Sequence, residues 1–256
     1  MSYFATSARS AVGLVRSGNE DSALASAHLI AVADGMGGHA AGEVASKIAI
    51  TTLADSAVVF TNPEIDQESA DDLFLTAIHA INNEIKVAVD ENPQLSGMGT
   101  TLTSLFLRGN AVALLHIGDS RAYRLRGKSF EQLSVDHTVI QELLNAGTIT
   151  ESEISTHPQR SVLTQVLMGD GLLEVPLPIF EGKIKDRYLV CSDGLSSVLT
   201  EKEIKSLIKG KDRDQALDAL IDATYINGAP DNVTIVIADI VEEARPETLE
   251  KLGAAQ

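Results

Sequence analysis

Four aspartates in this chain of 256 residues share one local design. Apolar runs lead into Asp34-Gly35, Gly118-Asp119-Ser120 and Ser192-Asp193-Gly194, and Asp231-Asn232 stands just before a further apolar run. A carboxylate at a strand edge is held rigidly, and a following glycine lets the backbone turn and approach whatever the carboxylate binds. Several carboxylates in one pocket repel each other unless protons or cations neutralise them. Oxygen-only donors favour hard cations such as Mg²⁺ or Mn²⁺. Two such ions roughly 3.5–4 Å apart can activate a water and clamp a phosphoryl oxygen. Asp-Gly is also an ordinary turn dipeptide, so the pattern by itself leaves a metal site and a set of turns both open.

The elements that must position these residues alternate between strand and helix. Residues 28–33 read as a buried strand stopped by Asp34, and residues 41–57 as an Ala-rich helix after a Gly-rich turn. In residues 69–89, Leu73, Phe74, Ala77, Ile78, Ile81, Ile85 and Val89 recur at helical spacing, with Pro93 beyond the end. Residues 100–107 and 111–117 flank Arg108-Gly109-Asn110, and residues 120–125 and 129–133 flank Arg126-Gly127-Lys128, which predicts two hairpins. A helix is expected over 135–146, strands over 187–192 and 232–240, and helices over 201–208 and 213–225. Residues 148–171 are polar and irregular, the kind of segment that often serves as a functional lid.

No linker or repeat interrupts this alternation. It predicts one domain over residues 1–242, followed by a charged, frayed C-terminal tail over 243–256. A net charge of −16 argues against nucleic acid as a partner and for a soluble monomer. The single cysteine, Cys191, excludes an intrachain disulfide and sits in an apolar run, so it reads as a buried small hydrophobe. No secretory signal or membrane-length apolar stretch is visible, and a cytoplasmic location is expected.

Six motifs in order carry a resemblance. Arg16-Ser17-Gly18-Asn19-Glu20-Asp21 comes first, then Asp34-Gly35-Met36-Gly37-Gly38-His39 and Gly97-Met98-Gly99-Thr100-Thr101. His116-Ile117-Gly118-Asp119-Ser120-Arg121, Cys191-Ser192-Asp193-Gly194 and Asp231-Asn232-Val233-Thr234 complete the set. Between about Ser7 and Ile240 the chain resembles the type 2C metal-dependent protein phosphatases in their compact bacterial form. The resemblance implies an α+β fold, a four-layer α-β-β-α sandwich of two antiparallel sheets flanked by helices. It implies hydrolysis of phosphoserine and phosphothreonine in proteins by a water bridging two Mn²⁺ or Mg²⁺ ions, opposing Ser/Thr kinases of eukaryotic type. Asp34 would bridge the metals, the Gly35 carbonyl would bind one, and Asp193 and Asp231 would complete the other. Asp119, with Asp193, would hold a weaker third ion. Arg16 would bind the phosphate, which suits a bidentate guanidinium. Glu20 and Asp21 would act through waters, or Asp21 as an outer support. Animal members carry a histidine proton donor where this chain has Met36; His39 or a metal-bound water would be the alternative donor, and the resemblance leaves the two open. Two other readings stay open: a phosphatase of small phosphorylated metabolites, and a non-catalytic relative that binds phosphoproteins.

Overall fold

The structure, a computed structural model, describes residues 2–38, 41–60, 67–171, 175–246 and 248–256. In chain order the regular elements are β1 (Tyr3–Ala11), β2 (Asp21–Ala25), β3 (Leu29–Met36), α1 (Ala41–Phe60), α2 (Gln67–Glu91), β4 (Gly99–Thr100), β5 (Leu102–Arg108), β6 (Ala111–Ile117), β7 (Arg121–Arg126), β8 (Ser129–Gln132) and α3 (Val139–Asn145). There follow β9 (Ile179–Glu181), β10 (Arg187–Cys191), α4 (Asp193–Ser196), α5 (Glu201–Ile208), α6 (Arg213–Ile226), β11 (Val233–Val241) and β12 (Glu250–Gly253). One sheet has the order β1-β11-β10-β7-β8; the other runs β12-β2-β3-β5-β6-β9, with β4 paired to the end of β3. All described pairings are antiparallel.

Strand alternation divides the apolar side chains among three layers. On β3, Leu29, Ala31 and Ala33 pack beneath Ala45, Ala49, Ile78 and Ile81 of α1 and α2, while Ile30 and Val32 face the other sheet. On β11, Val233, Ile235 and Ile237 pack with Leu217 and Leu220 of α6, while Val236, Ala238 and Ile240 face inward. Between the sheets lie Phe4, Tyr188, Val190, Leu105 and Leu114. The result is the expected four-layer α-β-β-α sandwich.

The same alternation aims the chemistry. Ala25, Ala23 and Asp21 of β2 share the inward face, as do Ile30, Val32 and Asp34 of β3, and the two triplets are in register. Leu107, Leu105 and Thr103 of β5 continue the gradient, as do Val112, Leu114 and His116 of β6 and Ala238, Val236 and Thr234 of β11. The layer between the sheets is thus apolar at one end and polar at the other.

Several expectations are corrected. The strand at Asp34 does not stop there: it runs to Met36, because Gly35 and Met36 pair with Thr100 and Gly99. The helix expected from 135 begins at Val139, where Thr138 Oγ1 caps the amide of Gln141. The tail expected to fray after 242 instead contributes β12, paired with β2 from Glu250 opposite Ala25 to Gly253 opposite Ser22. Leu252 is buried against the inter-sheet layer, and Ala254 N–H donates to Asp21 O at 2.8 Å. A short apolar pair behind a charged run is enough to dock a strand on an open edge.

Candidate metal centre

Asp21 and Asp34 are direct cross-strand partners. Like charges opposite one another destabilise a ladder. Here Asp21 is only 1% exposed. Its Oδ2 accepts from Ser192 Oγ at 2.7 Å, while its Oδ1 is buried with no hydrogen-bond partner. Burial, with Asp193 and Asp231 adding to it, pushes the Asp21 carboxyl up to about 7, although the hydroxyls of Ser192 and Thr234 pull the other way. Asp34 is raised well above the ordinary range, first by burial and then by Asp21, Asp193, Asp119 and Asp231.

The backbone around Asp34 is fixed from both sides. Its amide donates to Thr101 Oγ1 at 3.0 Å, and its carbonyl accepts from Thr101 N and Thr100 Oγ1, both at 2.9 Å. Gly35 donates to Glu20 O at 3.2 Å. A Cβ on Gly35 would stand 2.0 Å from the Gly42 carbonyl oxygen, so the start of α1 can approach only because that residue is glycine.

Asp119 follows Gly118, whose φ is +102° and whose missing Cβ leaves room for the Thr101 side chain. Burial, then Asp193 and Asp136, push Asp119 up to about 7. Beneath it, His116 is buried between Thr103 Oγ1 at 2.9 Å and the Val135 carbonyl at 3.0 Å, and burial lowers it to about 4, so it stays neutral. Its ring stacks on His137, with centroids 4.8 Å apart.

Asp193 opens α4 directly behind the buried Ser192. A Cβ on Gly194 would meet the Asn232 carbonyl oxygen at 1.9 Å, which keeps the Asp193 and Asp231 loops in contact. Burial and Asp231 raise the Asp193 carboxyl; its hydrogen bond with Asp34 and the charges of Arg16 and Arg121 oppose them. Asp231 is held by Arg16, Nη2 to Oδ2 at 2.6 Å. Glu20 lies on the same rim, its carboxyl raised chiefly by burial.

The structure therefore draws Arg16, Glu20, Asp21, Asp34, Gly35, Asp119, Asp193 and Asp231 into one electrostatically connected end of the sandwich. His39 lies outside the described residues. Among the described residues no three acidic, His or Cys side chains are drawn tight enough to grip an ion as they stand. Even so, the site fits a cation better than it fits itself. Four carboxyls are raised by burial and mutual repulsion, and an orphaned Asp21 oxygen is sealed inside. Positive charge from outside the chain would relieve all of these.

Sequence reasoning missed the polar residues that hold the rim. Asn232 accepts from Glu20 N at 2.8 Å and donates to Val12 O and Gly18 O, each at 2.8 Å. One side chain therefore spans the loop that carries Arg16. Its position directly after Asp231 was the available signal. The 148–171 segment is pinned to the same region: Leu167 pairs with Thr100, Thr164 N–H donates to His137 O at 2.9 Å, and buried Asn82 of α2 accepts from Gly169 N at 2.7 Å. Within it, His157 accepts from Gln159 N at 3.2 Å, a local turn contact.

The structure thus joins a four-layer sandwich to a carboxylate cluster at one open end of its central layer. Residues 17–224 match the protein phosphatase 2C family, and the chain belongs to it. It is 43% identical to the serine/threonine protein phosphatase PstP of Mycobacterium tuberculosis over 251 residues, 97% of this chain and 47% of that protein. It thus spans about half the length of that relative. It is 33% identical to the serine/threonine phosphatase stp of Listeria monocytogenes over 220 residues, 85% of this chain and 87% of that one. The PstP catalytic domain, solved in complex with two manganese ions, superposes with a TM-score of 0.86 at 40% identity, covering 94% of this chain and all of that one. Among the described residues no helix is long and apolar enough to cross a membrane.

Proposed function

We propose that this chain is a Mn²⁺- or Mg²⁺-dependent protein serine/threonine phosphatase acting on phosphoproteins and opposing Ser/Thr kinases. The observation that carries the reading is the in-register pair Asp21–Asp34, with the charge of Asp193 raising both carboxyls further. Such a group has little use unless cations neutralise it. Asp34, the Gly35 carbonyl, Asp193 and Asp231 would hold two ions, and Asp119 with Asp193 a weaker third. Bound there, the cations would lower the pKa of water into the neutral range and offset charge on the phosphoryl oxygens.

The chain's own groups do the rest. Arg16 rests on Asp231 with about half its side chain exposed. Its guanidinium can hold two phosphate oxygens and orient phosphorus for in-line attack. Asp21 shares the ladder with Asp34, and its buried Oδ1, without a hydrogen-bond partner, would support ions and their waters. Thr100 and Thr101 keep Asp34 from shifting as charge develops. Met36, 38% exposed at the end of β3, has no proton to give to a leaving alkoxide.

Purified protein with Mn²⁺ should hydrolyse p-nitrophenyl phosphate and a phosphothreonine peptide. Chelation with EDTA and Asp193→Ala should each abolish turnover. No turnover with any divalent cation would sink the reading, and faster turnover of nucleotides than phosphopeptides would move it to a small-molecule phosphatase.

A further inference from the structure

At the end of the sandwich away from the carboxylates is a polar cavity of about 150 Å³. It lies where β1, the turn after β2, the start of α6 and the strap from β11 to β12 come together. Arg213, Arg245, Thr6 and Thr248 supply its polar lining; Phe4 and Ala27 lie among its apolar neighbours. Among the described residues no carboxylate lines it; Glu247, between Pro246 and Thr248, lies outside the described residues. In a chain of net charge −16, two arginines lining one small cavity are a departure that calls for a cause.

Arg213 is the sharper of the two. Its Nη1 donates to Asp239 Oδ2 at 3.1 Å, but its Nε is buried and has no hydrogen-bond partner among the described residues. A buried guanidinium donor without an acceptor is costly. Arg245 is little better served: among the described residues it pairs with Glu243 at 3.9 Å, beyond hydrogen-bond reach. Arg187 and Arg213 already share Asp239, so that carboxylate has little capacity left.

We propose that this cavity binds a phosphate-type oxyanion, either free phosphate or the phosphoryl group of a modified side chain. The volume admits one tetrahedral oxyanion. A planar guanidinium fork with a free Nε, a second guanidinium and two threonine hydroxyls offer donors from several directions. An anion here would tie α6 to the strap that delivers β12 to the edge of β2. The site is separate from the carboxylate centre, and its existence does not depend on the activity proposed above.

The test is thermal unfolding of the full chain in EDTA, with phosphate titrated against chloride at matched ionic strength. Working with Arg16→Gln removes the other phosphate-binding arginine. At tenfold excess over the dissociation constant, phosphate should raise Tm by about 2–6 °C in both the parent and the Arg16→Gln protein. Arg245→Gln and Arg213→Lys should each lose that rise while keeping p-nitrophenyl phosphate turnover with Mn²⁺. A phosphothreonine peptide in the same titration separates the sources: a rise at lower concentration than phosphate assigns the site to a modified side chain, and the reverse order assigns it to the free ion. An unchanged rise in both cavity variants, a rise that vanishes in Arg16→Gln, or no rise with either ligand overturns the proposal.

Discussion

Asp21 and Asp34 face each other across the β2–β3 ladder on its inward face, Asp21 buried and Asp34 half-buried. Elsewhere in this layer the positions one step along the same strands are Ala23 opposite Val32 and Ala25 opposite Ile30. Two carboxyls thus occupy places that the fold would otherwise fill with aliphatic carbon. The protein accepts an unfavourable pair at the end of its own core, and the consequences can be measured.

The first concerns pH. Asp21 and Asp119 titrate near 7 in the folded protein, against 3.8 ordinarily, so between those values the folded state binds more protons than the unfolded one. Stability without metal is then highest below the ordinary value and falls as pH rises towards 7. A cation that takes the place of the protons reverses the trend. The Tm gain on adding Mn²⁺, relative to EDTA, should grow from pH 5.5 to pH 8; a gain independent of pH would contradict this charge assignment.

Removing one of the pair should separate stability from metal binding. Asp34→Asn should stabilise the metal-free protein by about 2 kcal/mol, because a carboxyl whose ionisation the fold disfavours becomes a neutral amide of the same shape. It should also abolish the Mn²⁺-dependent Tm gain and the turnover. Chemical denaturation in EDTA, followed by metal titration, measures both on one sample, and a loss of stability without metal would count against the strain argument.

Arg16→Lys keeps the charge but not the fork. Against a phosphopeptide, kcat/KM should fall about tenfold, near 1.4 kcal/mol, through loss of bidentate contact. Mn²⁺ affinity should change little by calorimetry. A variant with unaltered kcat/KM would remove Arg16 from the phosphate site.

Asn232→Ala withdraws three hydrogen bonds from the loop between Val12 and Glu20. Buried amides left unpaired suggest a cost of about 2–3 kcal/mol in stability. Because that loop carries Arg16, KM should rise more than kcat falls, and inhibition by phosphate should weaken in parallel. A variant that loses stability with the kinetic constants intact would show that Asn232 shapes the fold without placing the arginine.

Much of this was legible before the fold was seen. The helical spacing from Leu73 to Val89 sits within α2, and the hairpins around Gly109 and Gly127 lie where turn residues interrupt β-branched and aliphatic runs. The carboxylates were found because each follows or precedes an apolar strand. What escaped has physical reasons. β1 is an edge strand rich in small and half-buried residues, so its alternation is faint. β12 is short and charged and becomes a strand only because β2 offers an edge. The in-register placement of Asp21 against Asp34, the grip of Asn232 and the seating of Ser192 on Asp21 all join residues remote in sequence, and local pattern carries no register.

The grading of the central layer from Phe4 and Tyr188 to Asp21 and Asp34 divides the molecule into two districts under different rules. In the apolar district a replacement is judged by volume: a lost methylene opens a void, and a neighbour can repack to fill it. In the acidic district volume counts for little, since Asp and Asn are nearly the same size, and one unit of charge decides whether an ion stays. A survey of substitutions down a single strand such as β3 should therefore pass from tolerance of any aliphatic at Ile30 to tolerance of nothing but carboxylate at Asp34, within about four residues and 13 Å of chain.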